Sequence, residues 1–351
     1  MRSILISASL VLLSLVIGVL GAEFLSRMTM PISPGARNFT LDGEPLVVDY
    51  PGSYRYRPNL TYRQVSSEFD VRVTITSHGN RVPETTVNPD TIFLGDSFTF
   101  GHGLSDEQTF VGIYCLKVEI SCTNLGRSGS GTGKEIDILE HYLNTESWRP
   151  REVKLFMLVM THTLSSGNDL LDNLAYEEGW AERQTDNVAT PDGQPASKQF
   201  AVSAYEIRRW LLARSNLVRL TQFVFGPWLR ARFSPRASQN KLISALDRTA
   251  EQLQRLDRLG RHHGFRYRIY LLHPMQDILL GTYEETVARL REVAPNPDLV
   301  VGTGDFFMPD PLLFYYAYDG HLNAAGSTKV AEFLESERKK EEAANLNENA
   351  R

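Results

Sequence analysis

The chain has 351 residues, enough for one large domain or two ordinary ones, and a formal net charge of -5. It is 42% hydrophobic and 23% charged, a globular balance with no Lys/Arg-rich block, so nucleic acid is not an expected partner. Its two cysteines, Cys115 and Cys122, form no CxxC or Cys/His cluster, which argues against a structural zinc. They could pair in an oxidising compartment or be two small buried residues.

Residues 3–22 are an uncharged apolar run, close to the roughly 20 residues that a helix needs to cross a bilayer. Arg2 precedes the run, and Glu23 and Arg27 follow it. A secretory signal has a shorter apolar core and a small-x-small cleavage site. An uncleaved anchor over residues 1–27 is therefore favoured over a cleaved signal. The arginine before the run favours the N-terminus inside and the bulk of the chain outside. Residues 28–90 are expected to form a linker and a small β-rich entry segment. Pro31, Pro34, Gly35, Gly43 and Pro45 mark the linker, up to about residue 50. Beyond it, Phe69-Asp70-Val71-Arg72-Val73-Thr74-Ile75-Thr76 alternates in the β manner and ends in the turn Ser77-His78-Gly79-Asn80.

The main domain is expected over 91–340, with an insertion at 170–235 and a flexible tail at 341–351. Its first strand, 91–95, is apolar and stops at Gly95, where Asp96 and Ser97 open a tight turn. Ser105-Asp106-Glu107-Gln108 reads as a capping box for a helix at 106–118. A strand at 120–125 runs into Gly126-Arg127-Ser128-Gly129-Ser130-Gly131-Thr132-Gly133, and a helix follows at 134–144. The run 153–160 is nearly all apolar, as central parallel strands are, and leads to Ser165-Ser166-Gly167-Asn168-Asp169. Residues 175–200 are polar and irregular, 201–232 reads as helical, and 242–262 is an amphipathic helix. A strand at 265–272, a helix at 284–293 and a short strand at 298–301 come next. Tyr318-Asp319-Gly320-His321 then leads into a last helix, to about residue 340. Strands alternating with helices predict a mostly parallel sheet in a three-layer α/β/α arrangement.

Ligands of open α/β sheets bind at strand C-termini, and four loops there carry unusual residues. They hold Ser97, the glycines around Gly129, Asn168, and Asp319 with His321. Nucleophilic ester chemistry needs these parts. A serine hydroxyl is a weak nucleophile until an imidazole takes its proton. A carboxylate must hold that imidazole in the right tautomer. Backbone N–H groups of a glycine turn and an asparagine amide supply donors for an oxyanion.

In this order, Gly95-Asp96-Ser97, Asn124-Leu125-Gly126-Arg127-Ser128-Gly129, Gly167-Asn168-Asp169 and Asp319-Gly320-His321 resemble the four blocks of the SGNH (GDSL-type) hydrolases. The resemblance covers roughly residues 91–335 and implies a flavodoxin-like three-layer fold. It implies Ser97 as nucleophile, His321 as general base and Asp319 as the residue that orients His321. It implies an oxyanion hole made of the Ser97 N–H, the Gly129 N–H and the Asn168 side chain. The chain departs from the family in two places. Many members space acid and histidine as Asp-x-x-His, whereas here a single residue separates them. In an extended segment positions i and i+2 face the same way, so contact is expected at a different angle. Gly126, Gly129 and Gly131 also compete for the glycine role.

Other polar residues are read as structural. Asp96 is a turn residue, Asp169 is similar, and His273 packs at a strand end. His262-His263 favours the dipole at a helix end. His102 and His162 lie near the blocks in sequence and could line the pocket, without an assigned role. Tyr315, Tyr316 and Tyr318 are read as core and rim aromatics. The expected function is that of a membrane-anchored serine esterase with its catalytic domain outside the cytoplasm. Its substrate would be an acyl ester, foremost acetyl, of a cell-envelope or exopolysaccharide carbohydrate. The alternatives are acyl transfer to a sugar hydroxyl and an inactive carbohydrate-binding member of an envelope assembly. No metal or organic cofactor is expected.

Overall fold

A computed structural model describes residues 2–29, 36–44, 46–50, 53–85, 88–160, 169, 170, 172, 173, 211, 214–221 and 235–349. The loop at 165–168, the irregular stretch at 175–200 and most of the helical stretch at 201–232 lie outside the described residues.

The apolar run forms helix α1 (Arg2–Thr29). Within it, Ser9–Thr29 has a mean hydropathy of 2.1 and is long and apolar enough to cross a membrane. A signal sequence meets the same description of length and composition. Five short strands follow: β1 (Arg37–Thr40), β2 (Val47–Tyr50), β3 (Ser53–Tyr56), β4 (Thr61–Val65) and β5 (Asp70–Thr74). An antiparallel sheet has the order β1-β4-β5, and β2 pairs with β3 in a separate hairpin. The linker expected up to residue 50 therefore contributes two strands. β1 lies exposed at a sheet edge, so its residues lack the in–out alternation by which a strand is recognised.

The main sheet has the order β11-β10-β9-β7-β8-β6. Its strands are β6 (Arg81–Glu84), β7 (Thr91–Leu94), β8 (Cys122–Asn124), β9 (Glu152–Leu158), β10 (Arg266–Leu272) and β11 (Val300–Gly302). All pairings are parallel except the edge strand β6, which runs antiparallel to β8. The sheet thus begins at Arg81 rather than near residue 91. Proline and charge in Arg81-Val82-Pro83-Glu84 suit an edge strand and hide it from a search for apolar runs.

Alternate residues of the central strands build two cores, because successive side chains of a strand point to opposite faces. Ile92, Leu94, Val153, Leu155, Met157, Ile269 and Leu271 belong to one core. It is closed by α4 (Thr132–Thr145), α5 (Pro235–His263) and α7 (Tyr283–Val293). Phe93, Phe156, Leu158, Tyr270 and Leu272 belong to the other. That face is closed by α3 (Phe110–Val118), α6 (Met275–Leu280) and α8 (Ala324–Asn349). The expected mostly parallel sheet with helices on both faces is the observed architecture.

Three local differences have physical reasons. Residues 106–108 form a 3-10 turn, and α3 starts at Phe110, where Thr109 Oγ1 accepts the Gly112 N–H at 3.1 Å. Helix α8 runs to Asn349, past the end expected near 340. Glu335 pairs with Lys339, and Glu341 with Arg268 of β10, both at 2.7 Å. Cys115 at the end of α3 and Cys122 at the start of β8 form a disulfide.

A third core joins the entry segment to the main domain. Tyr56, Leu60, Tyr62, Val73 and Ile75 enclose Phe100, the last residue of the short helix α2 (Ser97–Phe100). Arg81 is fully buried beside it. Its guanidinium donates to the carbonyls of Phe100 at 3.1 Å and Gly101 at 2.7 Å, and it pairs with Asp106 at 3.2 Å.

Candidate active site

Ser97 is the first residue of α2, directly beyond the C-terminal end of β7. Asp96 caps that helix, its Oδ1 accepting the Phe98 N–H at 2.9 Å. The Ser97 hydroxyl lies 2.7 Å from His321 Nε2, and His321 Nδ1 lies 2.5 Å from Asp319 Oδ1. Residues 224 apart in sequence are thereby brought into hydrogen-bond contact.

The turn before α8 explains how the short acid–histidine spacing still gives contact. Asp319 and His321 do not lie on an extended segment. The Gly320 N–H donates to Tyr316 O at 3.2 Å, and the Tyr316 N–H donates to His321 O at 2.8 Å. Gly320, at φ 85°, supplies the left-handed bend between acid and histidine. Asn323 holds the turn to the helix, its Oδ1 accepting the Gly326 N–H at 3.0 Å.

Asp319 is also shared with a second histidine. His102 Nε2 stands 3.6 Å from Asp319 Oδ2, and its ring lies 4.3 Å from that of His321. Gln64 of β4 reaches His102 Nδ1 at 3.4 Å and accepts the Gly103 N–H at 2.7 Å. With Gln64 donating to Nδ1, the Nε2 proton of His102 faces Asp319. Glu68 accepts the backbone N–H of Tyr318 at 3.1 Å and of Asp319 at 2.7 Å. The entry segment thus holds the acid loop from outside the main domain. Burial alone would raise the Asp319 carboxyl. Hydrogen bonds from His102 and His321 outweigh it and hold that carboxyl well below the ordinary carboxylate range. Burial lowers the His321 imidazole; the bond to Asp319 opposes the shift and His102 reinforces it.

The glycine loop after β8 is tied to the turn that carries Ser97 through the Arg127 N–H, which donates to Gly95 O at 2.9 Å. A Cβ on Gly126 would stand 2.4 Å from the Phe100 nitrogen, so that glycine permits close packing on α2. Gly131 packs against Asp172 in the same way, at 2.6 Å. Gly129, at φ +74°, has no atom within 4 Å of a Cβ position and borders open space. Asn168, Gly167 and His162 lie outside the described residues.

Three carboxyls are buried beneath this surface. Burial pushes Asp96 up to about 7, and the charge of Asp172 adds to the shift. Glu135 and Asp169 are raised well above the usual range for the same first reason. Asp169 Oδ2 accepts the Leu158 N–H at 2.9 Å, and Glu135 accepts from Ser130 Oγ at 2.8 Å. His273 is buried and pushed down to about 4, its carbonyl accepting from Tyr315 Oη at 2.7 Å. Tyr315 is a core residue, while Tyr316 Oη donates to Gly103 O at 2.8 Å.

Sequence reasoning missed Gln64 and Glu68, and it set His102 near the pocket without its contact to Asp319. One signal was available for Gln64. It shares the inward phase of β4 with Tyr62 and is buried, so a polar residue occupied a core position. No spacing rule links Glu68 or His102 to Asp319, because they meet through tertiary packing alone. His102, Asp319 and His321 offer ligand atoms within 4.8 Å of one another, a set that could hold a metal ion. An ion taken there would compete with the hydrogen bonds just described.

No family model and no curated protein matches the chain. Among solved structures, similarity extends to a carbohydrate esterase whose active site is described as having divergent catalytic and non-catalytic binding functions. It covers 87% of this chain and 83% of that one, at 10% identity and a TM-score of 0.35. A carbohydrate esterase family 2 enzyme with a carbohydrate-binding domain, from Corynascus thermopiles (Myceliophthora fergusii), is similar over 86% of each chain, at 14% identity and a TM-score of 0.33. Likenesses this distant carry no argument about what this chain does.

Proposed function

We propose that the chain is a serine esterase that takes an acyl group from an ester onto Ser97 and passes it to water. The observation that carries this reading is the unbroken contact from Ser97 Oγ through His321 to Asp319, at 2.7 and 2.5 Å. In the first step His321 Nε2 takes the Ser97 proton as Oγ attacks the ester carbonyl. The tetrahedral oxyanion collapses, the alcohol leaves with that proton, and the acyl group stays on Oγ. Water then loses a proton to the same nitrogen and attacks the acyl-enzyme. The carboxylic acid departs and Ser97 regains its proton. Asp319, held ionised, keeps the Nδ1 proton of His321 in place and stabilises the imidazolium.

In this reading the oxyanion is met by the Ser97 N–H, the Gly129 N–H and the Asn168 amide. The SGNH (GDSL-type) resemblance supports the same roles. The substrate is an acyl ester, foremost acetyl, on a carbohydrate. Transfer of the acyl group to a sugar hydroxyl shares every step up to the acyl-enzyme. Residues 1–27 anchor the chain, 28–80 form the entry segment and 81–340 the hydrolase-like domain, outside the cytoplasm. The Cys115–Cys122 disulfide supports an oxidising compartment.

The test is turnover of a chromogenic acetyl ester alongside labelling by a fluorophosphonate. Wild-type protein should do both. Ser97→Ala should lose the label and lower kcat roughly 10⁶-fold. Wild-type turnover by the alanine variant would overturn the assignment.

A further inference from the structure

The entry segment and the catalytic loops enclose a cleft of about 390 Å³, within the roughly 300–1,000 Å³ of small-molecule sites. One wall is Asn38 of β1, Tyr56 of β3, and Tyr62 and Gln64 of β4. The other is His102 and Ser128, from the loops beyond β7 and β8. The inner end meets the active site. The His102 ring lies 4.3 Å from that of His321, tilted against it, and Ser128 precedes Gly129, the glycine that borders open space. A group held in the cleft is one imidazole away from the base that serves Ser97.

The chemistry of the walls narrows the ligand. Among the described residues no carboxylate, ammonium or guanidinium lines the cleft. Arg127 sits behind Tyr56, buried, with its guanidinium 5.7 Å from the ring centroid and bonded to Asn80 Oδ1. Walls without charge cannot offset the desolvation of an ionic ligand. A wholly apolar ligand fits no better, since it would strip water from the exposed Asn38 carboxamide and return no hydrogen bond. Carboxamides both donate and accept, as hydroxyl groups do. Asn38 is exposed, and its Oδ1 is held by Gln64 Nε2 at 3.1 Å, which directs its own amide hydrogens elsewhere. Ala36, Leu46 and Val47 line the same cleft and offer apolar surface for C–H groups. A ring that is uncharged, rich in hydroxyls and apolar on its faces satisfies all of these conditions.

We propose that this cleft binds the uncharged sugar that bears the ester, an inference that rests on the esterase reading for the bond cleaved. The sugar oxygen is then the leaving group, on the His102 side of His321.

The full-length chain in detergent is tested in two arms. In the first, Ser97→Ala protein is titrated calorimetrically with an acetylated neutral monosaccharide and with an acetylated uronic acid of the same size. The neutral ester should bind at least tenfold more tightly, and adding Val47→Trp, at a position 41% exposed on the rim, should remove that preference. In the second, kcat/KM is measured for the acetylated neutral sugar and for a small nitrophenyl acetate. Their ratio should fall at least tenfold in Asn38→Ala and in Val47→Trp. Equal affinity for neutral and charged sugars, or an unchanged ratio in variants with wild-type melting curves, would overturn the proposal. Failure of the esterase reading looks different. Neither ester would then turn over in wild type, while the calorimetric arm would still report whether the cleft takes the sugar.

Discussion

Asp319 serves two histidines, and this sharing decides how the site responds to pH. His321 must be neutral to accept the Ser97 proton, so its pKa sets the acid limb of the kcat/KM profile. Burial and His102 lower that pKa, and the bond to Asp319 raises it. His102→Phe keeps a ring against His321 while removing a polar neighbour that lowers the His321 pKa and shares Asp319. The acid limb should move to higher pH, and kcat should fall about tenfold, or roughly 1.4 kcal/mol. An unchanged profile would reduce His102 to packing. Asp96 governs stability instead. Its folded pKa, pushed up to about 7, lies above the ordinary 3.8. An acid raised by folding contributes stability that is complete below the unfolded value and is lost as pH rises through the folded one. Melting temperature should therefore fall between pH 4 and pH 7. Asp96→Asn keeps an acceptor for the Phe98 N–H and cannot ionise, so its fall should be shallower. Glu135 and Asp169 add the same trend in both proteins.

At the scale of elements, the entry segment and the loops that carry Ser97 and Asp319 hold one another. Phe100 of α2 fills the entry core, Arg81 gathers the carbonyls of the following loop, and Gln64 and Glu68 reach back to His102 and Asp319. Each partner alone would leave buried polar groups without bonds, which is costly. The Cys115–Cys122 disulfide closes a short loop, with a sequence separation of 7, between α3 and β8. The chain-entropy relation gives about 2–3 kcal/mol for a loop of that size. Cys115→Ser with Cys122→Ser should lose that much in denaturant unfolding, and wild type in reductant should match it. A double variant as stable as wild type would show that the loop is held without the bond.

For the whole molecule, α1 is tied to residues 214–217, far along the chain. Glu23 accepts from Ser215 Oγ at 2.7 Å and from the Asn216 and Leu217 N–H groups at 2.8 and 2.9 Å. Arg27 donates to Arg214 O at 2.6 Å. These bonds cap the N-terminal end of the helical residues 216–221. The apolar part of α1 has only 6% of its window buried, which leaves it free to meet lipid. Full-length protein should stay with membranes after a high-salt wash, and protein lacking residues 1–27 should be soluble. Release of intact protein by salt alone would count against a spanning helix.

The elements of the main sheet were legible because burial on both faces demands near-continuous apolar runs, as at 153–158, and glycine must mark where such runs stop, as at Gly95. Ser97 was legible as a serine at a strand end, and Asp319 and His321 as an acid and a histidine before the last helix, though they lie in a turn well beyond β11 rather than at its end. β1 and β6 were not, since an edge strand needs no apolar alternation. The pairing of the cysteines was left open, because it depends on where α3 ends relative to β8. Which of three glycines borders open space, and how a one-residue spacing lets Asp319 touch His321, followed only from the closed turns around them. His102, Gln64 and Glu68 entered the site through the third core, where segments distant in sequence pack together. Patterns within a segment are set by its own burial, whereas contacts between segments are set by the packing of the whole chain.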